Sequence, residues 1–261
     1  MVWGGKPTAH DPERIRRVPG NPLLKRAFSQ AIMSPIEANL QHVKAGIDAA
    51  LAGLPPARRR SVALVAVSKT KSADVVRAAF AAGQRAFGEN YVQEGVEKIT
   101  ALADLKSDGI EWHFIGPLQS NKARLVAEHF DWVHGVDRWK IADALARHRT
   151  GPPINICIQV NVSGESSKSG IVPNEARALA EAIAPLALVR LRGLMTIIEN
   201  TRDVRAQRAQ FALMRGLSDT LNAAGITLDT LSMGMSQDYR VAIEEGATMV
   251  RIGSAIFGGR V

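Results

Sequence analysis

From residue 36 onward, apolar positions alternate between two spacings. Ile36, Leu40, Val43, Ile47 and Leu51 recur at helical intervals. They follow Ser34-Pro35-Ile36-Glu37, a capping box with proline at the first helical position, and give way to Gly53-Leu54-Pro55-Pro56. Short β-branched runs then fall at 62–67, 85–88, 111–115, 132–135, 154–162, 191–196, 228–233 and 249–253. Helical patterns occupy the gaps, at 73–82, 92–102, 121–129, 140–147, 173–184, 204–224 and 237–245, with Gly83, Gly225 and Gly246 where C-caps belong. Strands alternating with helices predict right-handed parallel units, and eight of them in about 200–250 residues make an α/β fold of the closed (β/α)8 TIM-barrel type. The alternative is an open doubly wound sheet. No G-x-G-x-x-G turn follows the first run, which favours the barrel. No linker divides residues 34–261, so they read as a single domain.

Residues 1–33 break the pattern. They hold Pro7, Pro12, Pro19 and Pro22 without an apolar period, and are expected to form a disordered or loosely attached basic tail. Lys6, Arg14, Arg16, Arg17, Lys25 and Arg26 against Asp11 and Glu13 give this tail +4, half of the formal +8 of the 261-residue chain. The remaining charge forms no block and lacks interleaved aromatics, so nucleic-acid binding is not expected. No stretch approaches the roughly 18–20 apolar residues of a membrane helix, and no apolar N-terminal run reads as a signal peptide. The single cysteine, Cys157, argues against a disulfide framework or a cysteine-rich metal site. The expectation is a cytoplasmic monomer with no membrane contact.

In such a barrel the chemistry lies in the loops leaving the C-terminal strand ends. Read in order, these ends give Ser68-Lys69-Thr70-Lys71, Gly88-Glu89-Asn90-Tyr91, His113 with Gly116-Pro117-Leu118-Gln119-Ser120-Asn121-Lys122, Asn161, Met195-Thr196, Ser232-Met233-Gly234-Met235-Ser236 and Arg251-Ile252-Gly253-Ser254. Small residues and glycines after the seventh and eighth strands, each opening a helix, suit a phosphate. Lys69 is either a solvated loop residue or a partly buried amine near Lys71 and Arg251, which would make it a usable nucleophile. Lysine, phosphate and arginine together suggest pyridoxal 5′-phosphate (PLP) held as a Schiff base.

The chain resembles the pyridoxal phosphate homeostasis protein family, which is itself similar to the barrel domain of alanine racemase. The resemblance rests on the stretches Ala66–Lys71, Phe87–Glu94, His113–Lys122, Ser166–Gly170, Arg192–Met195, Leu231–Ser236 and Val250–Gly258, and runs from about residue 36 to the C-terminus. It implies that Lys69 carries the cofactor and that Ser236, Gly253 and Ser254 hold its phosphate. It further implies that Arg251 faces the pyridine nitrogen and that Asn90 lies near the ring. Gln237-Asp238-Tyr239 departs from the family pattern and leaves the outer contacts of that loop open.

An arginine beside the ring nitrogen disfavours its protonation and weakens the electron sink, which argues against transamination. Racemisation in this fold class needs a tyrosine from a second domain. This chain offers only Tyr91 and Tyr239, both read as packing or surface residues. The expected function is therefore PLP binding for intracellular vitamin B6 homeostasis without strong catalysis, with PLP-requiring enzymes as recipients. A low-activity amino-acid racemase is the alternative, and a phosphate-binding barrel enzyme without PLP a third reading. His113 reads as a satisfied core histidine, Trp112, Trp132 and Trp139 as packing, and Cys157 as a buried small hydrophobe. Lys168 belongs to the family signature without an assigned role.

Overall fold

The computed structural model describes residues 1–2, 34–165 and 168–259. The chain divides into two units, Met1–Ser34 and Pro35–Val261, and every described element belongs to the second. The expected basic tail therefore lies outside the described residues, apart from Met1 and Val2, as do Ser166 and Ser167.

Helix α1 (Pro35–Ala52) precedes eight strands: β1 (Ala63–Val67), β2 (Ala86–Glu89), β3 (Glu111–Phe114), β4 (Trp132–Val136), β5 (Ile154–Gln159), β6 (Val189–Met195), β7 (Thr230–Ser232) and β8 (Met249–Ile252). The helices between them are α2 (Ala73–Ala81), α3 (Val92–Ala101), α4 (Ala123–His129), α5 (Trp139–His148), α6 (Ala176–Ile183), α7 (Val204–Ala223) and α8 (Tyr239–Glu244), and a short α9 (Ser254–Phe257) follows β8. All strands pair in parallel and in chain order, and β8 closes on β1 through Ala63↔Met249 and Val65↔Arg251. This is the predicted (β/α)8 barrel.

Boundaries shift where side chains capture the backbone. β5 stops at Gln159 rather than 162, because Asn161 Oδ1 accepts the Ser163 and Gly164 N–H groups and turns the chain. β7 begins at Thr230 rather than 228, because Asn222 pairs with both the N–H and the C=O of Leu228 and keeps it in the turn. α8 starts at Tyr239 rather than 237, since Asp238 accepts the Met235 N–H at 2.5 Å. Gly83, Gly225 and Gly246 end their helices at φ +87°, +88° and +98°, as expected of C-caps.

Two apolar clusters hold the barrel together. The larger packs the helices against the outer face of the sheet, with Phe87, Phe114, Phe130 and Phe211 among its fully buried side chains. The smaller consists of Val65, Trp132, Cys157, Met195 and Met249, drawn from five different strands, and fills the barrel interior. Gly193 on β6 lies so close to β7 that a Cβ there would sit 1.7 Å from the Thr230 carbonyl oxygen. Trp139, expected to pack, instead begins α5 with 48% exposure, because the helix turns this first residue away from the sheet. Among the described residues no helix is long and apolar enough to cross a membrane.

Candidate functional site

Strand parity carries the site out of the interior. Val65 is an interior residue, Val67 two positions on lines a cavity of about 720 Å³, and Lys69 continues the same alternation just past the strand end. On neighbouring β8, Met249 is interior, while Arg251 and Gly253 line that cavity. The volume lies within the range of about 300–1,000 Å³ usual for small-molecule sites. Lys69, Ser236, Arg251, Gly253 and Ser254 all line this one space, together with Lys71 and Lys168.

The Lys69 amine makes no hydrogen bond or ion pair with any described residue, whereas Lys71 Nζ donates to the Gly259 carbonyl at 3.2 Å and Lys168 pairs with Glu165 at 2.9 Å. The Ser254 hydroxyl donates to Ser236 Oγ at 3.2 Å, so the two serines stand together at the ends of β7 and β8. A Cβ at Gly253 would lie 3.0 Å from the Val67 carbonyl oxygen, so glycine lets the end of β8 close against β1 beneath them. Asp238, the departure from the family pattern, ties the loop internally through Met235 N–H.

Asn90 is placed differently. It does not line the cavity; its backbone carbonyl packs against Gly116, and its amide Oδ1 is buried without a hydrogen-bond partner among the described residues. Tyr91 is 53% exposed and Tyr239 is buried, its hydroxyl directed at Gly46 of α1, so neither tyrosine lines the cavity.

Arg251 is held from below. Its Nη1 donates to Ser232 Oγ at 2.7 Å and its Nη2 to the Thr196 carbonyl at 2.8 Å. Burial pushes this guanidinium down to about 10, which leaves it charged at neutral pH. Beyond Ser232 a buried column descends the barrel: Ser232 Oγ to His134 Nδ1 at 2.8 Å, His134 Nε2 to His113 Nδ1 at 2.9 Å, and His113 Nε2 to Glu111 Oε2 at 3.2 Å. The Trp132 indole also donates to Glu111, at 2.7 Å. Burial drives the His134 imidazole well below its usual range, helped by the nearby His113 and Arg251. His113 is thus the satisfied core histidine that its sequence position predicts.

A second buried group sits behind Lys69. Glu89 at the end of β2 accepts from the Ser68 hydroxyl at 2.6 Å and from Lys98 at 2.8 Å, and its burial raises the carboxyl above the usual range. Glu89, Thr196 and Ser232 stand among the strand-end residues picked out by sequence, without a role there; His134 and Lys98 were not anticipated. The signal for His134 is parity: Trp132 and His134 alternate on one strand as Glu111 and His113 do on the next.

Comparison with known proteins narrows what this cavity is similar to. Residues 39–261 match the family model described as the alanine racemase N-terminal domain. The pyridoxal phosphate homeostasis protein of Pseudomonas aeruginosa is 56% identical over 232 residues, covering 87% of this chain and 97% of its own length. The protein of the same name from Escherichia coli K12 is 50% identical over 236 residues, covering 87% and 98%. Among solved structures, PipY of Synechococcus elongatus, described with PLP bound, matches at 40% identity with a TM-score of 0.74 over 85% of this chain and 100% of that one. Alanine racemase of Clostridium difficile shares the fold at 16% identity, with a TM-score of 0.67 over 87% of this chain and 57% of its own.

Proposed function

The chain belongs to the pyridoxal phosphate homeostasis protein family, and on that footing we propose that it binds PLP at the mouth of its barrel as a Schiff base on Lys69, serving to store or hand on the cofactor. The observation that carries this reading is an amine without a described partner in a cavity that also holds a serine pair and a buried arginine. Lysines seldom sit half-buried and unpaired, because the charge loses water without compensation. Such an amine is a natural nucleophile for an aldehyde.

The residues fit the group one by one. The Ser236 and Ser254 hydroxyls and the backbone at Gly253 suit a phosphate: hydroxyls donate to it, and the first N–H groups of a helical turn lack intrahelical partners. Arg251, fixed by Ser232 and Thr196, presents a charged donor that can bond a ring nitrogen but not hand it a proton. Asn90, which does not line the cavity, contributes no described contact there; its Oδ1 is a buried acceptor without a described donor just past the end of β2. Bound there, PLP supplies an aldehyde that condenses with an amine with loss of water. The chain's own groups hold and orient it, and none of them supplies a full electron sink. The two tyrosines stand away from the cavity, which supports a carrier over the alternative of an amino-acid racemase.

The test combines spectrum and mass. Purified protein should be yellow, and borohydride should fix a pyridoxyl group on Lys69. Lys69→Ala should lose the fixed adduct while the phosphate pocket retains part of the cofactor, and Lys71→Ala should keep the adduct. A pyridoxyl group found on Lys71, or on no lysine, refutes the assignment; formation of D-amino acids from L-amino acids would restore the racemase reading.

A further inference from the structure

We infer that Glu94 and Lys98, both on α3, are positioning residues for Lys69, gripping the two peptide groups that flank it. The inference rests on Lys69 being the cofactor lysine. Lys98 Nζ donates to the Ser68 carbonyl at 2.7 Å, which is the peptide unit entering Lys69. Glu94 Oε1 accepts the Thr70 N–H at 2.5 Å, which is the peptide unit leaving Lys69. Glu94 and Lys98 are joined to each other at 2.6 Å, one helical turn apart on the same face. The remaining Lys98 bond goes to Glu89. All three hydrogens of the ammonium are therefore spent, one on the Ser68 carbonyl and two on carboxylates that themselves hold Ser68 and Thr70.

Neither residue lines the cavity, so ligand contact does not explain them. Stability is a poor explanation as well. Lys98 and Glu89 have side chains 7% and 0% exposed, and buried ion pairs seldom repay their desolvation better than apolar packing. What the cluster does accomplish is geometric. Thr70 has φ +64°, the one non-glycine residue in the left-handed region among those described. A β-branched residue enters that region only when its surroundings impose it. The Glu94 bond to the Thr70 N–H supplies that constraint, and the turn it enforces ends β1 so that Lys69 faces the cavity.

The local sequence brings α3 in closely enough. Gly95 lies where a Cβ would meet Phe130 at 2.5 Å and Glu89 at 3.3 Å. A side chain there would lift the helix away from β2 and withdraw both gripping residues.

The experiment reads the ratio of Lys69-fixed pyridoxyl to total bound cofactor, by borohydride reduction and peptide mass spectrometry, alongside circular dichroism to count folded protein. Glu94 is partly exposed on the first turn of α3, so Glu94→Ala removes one grip without opening the core. Lys98→Met removes the other. In both, the ratio should fall about fivefold or more, because a misdirected amine reacts more slowly and binds less completely at an aldehyde held by its phosphate. Glu94→Gln keeps an acceptor for Thr70 N–H and should stay within about twofold of the parent, a rescue that general destabilisation would not produce. A ratio in Glu94→Ala unchanged within about twofold overturns the inference, whatever Lys98→Met does to folding. Absence of the Lys69 adduct in the unmodified protein instead overturns the proposed function, and this inference with it.

Discussion

Replacing Ser232 with alanine deletes one oxygen and strands two buried groups. The hydroxyl lies between Arg251 Nη1 at 2.7 Å and His134 Nδ1 at 2.8 Å, and all three residues are buried. A hydrogen bond lost from a charged group costs about 1.5–3 kcal/mol, and an orphaned neutral group about 1–3 kcal/mol. No water-sized substitute forms when a hydroxyl becomes a hydrogen, so Ser232→Ala should cost about 3–5 kcal/mol. In a domain of this size that lowers Tm by on the order of 10 °C. Urea unfolding of cofactor-stripped protein, followed by tryptophan fluorescence, measures it. Thr220→Ala is the control, deleting an exposed hydroxyl that donates to the Gly216 carbonyl at 2.8 Å, and should move stability by no more than about 0.5 kcal/mol. A loss below about 1 kcal/mol for Ser232→Ala would mean that the column does not bind Arg251 as described.

Further outcomes follow from burial and contact. His134 titrates well below the usual imidazole range in the fold, so on acidification the unfolded chain takes up a proton that the native protein refuses. The His134 contribution should be constant above about pH 6.5 and fall below it by up to about 1.4 kcal/mol per unit, and His134→Gln should remove about one proton from that slope in urea titrations. Glu89, raised by burial, acts with the opposite sign nearer the carboxylate range. Cys157, whose thiol burial pushes up to about 12, should resist aromatic disulfide reagents at pH 8 until denaturant is added. Gly193→Ala should leave little soluble protein, because its Cβ would fall 1.7 Å from a backbone oxygen that cannot step aside without parting β6 from β7.

The barrel was readable because each helix and strand carries its own period, and because glycines such as Gly83 and Gly246 mark the helix ends. Misjudged boundaries cluster where Asn161, Asn222 and Asp238 seize backbone groups, a capture that hydrophobic spacing does not encode. The cavity-lining set of Lys69, Ser236, Arg251, Gly253 and Ser254 was legible as strand-end positions of one known architecture. Lys98 was not, since a lysine on an amphipathic helix reads as solvated until the helix is seen pressed onto β2 by Gly95. His134 was hidden for a related reason. A lone histidine in a strand announces only its parity, and its partners lie on other strands, His113 21 residues before it and Ser232 98 residues after.

The column beneath Arg251 has a direction. A guanidinium possesses only hydrogens to give, so Ser232 must receive from it and spend its own hydrogen on His134 Nδ1. His134 then carries its hydrogen on Nε2 and passes it to His113 Nδ1, and His113 presents its Nε2 hydrogen to the carboxylate of Glu111. With the hydrogens so assigned, every dipole in the series points the same way, from the cavity to the opposite rim. Glu111 at that far rim is thus the terminal acceptor of a polarised file: its carboxylate pushes electron density back through the two rings to the Ser232 hydroxyl and makes that oxygen a stronger acceptor for the Arg251 guanidinium.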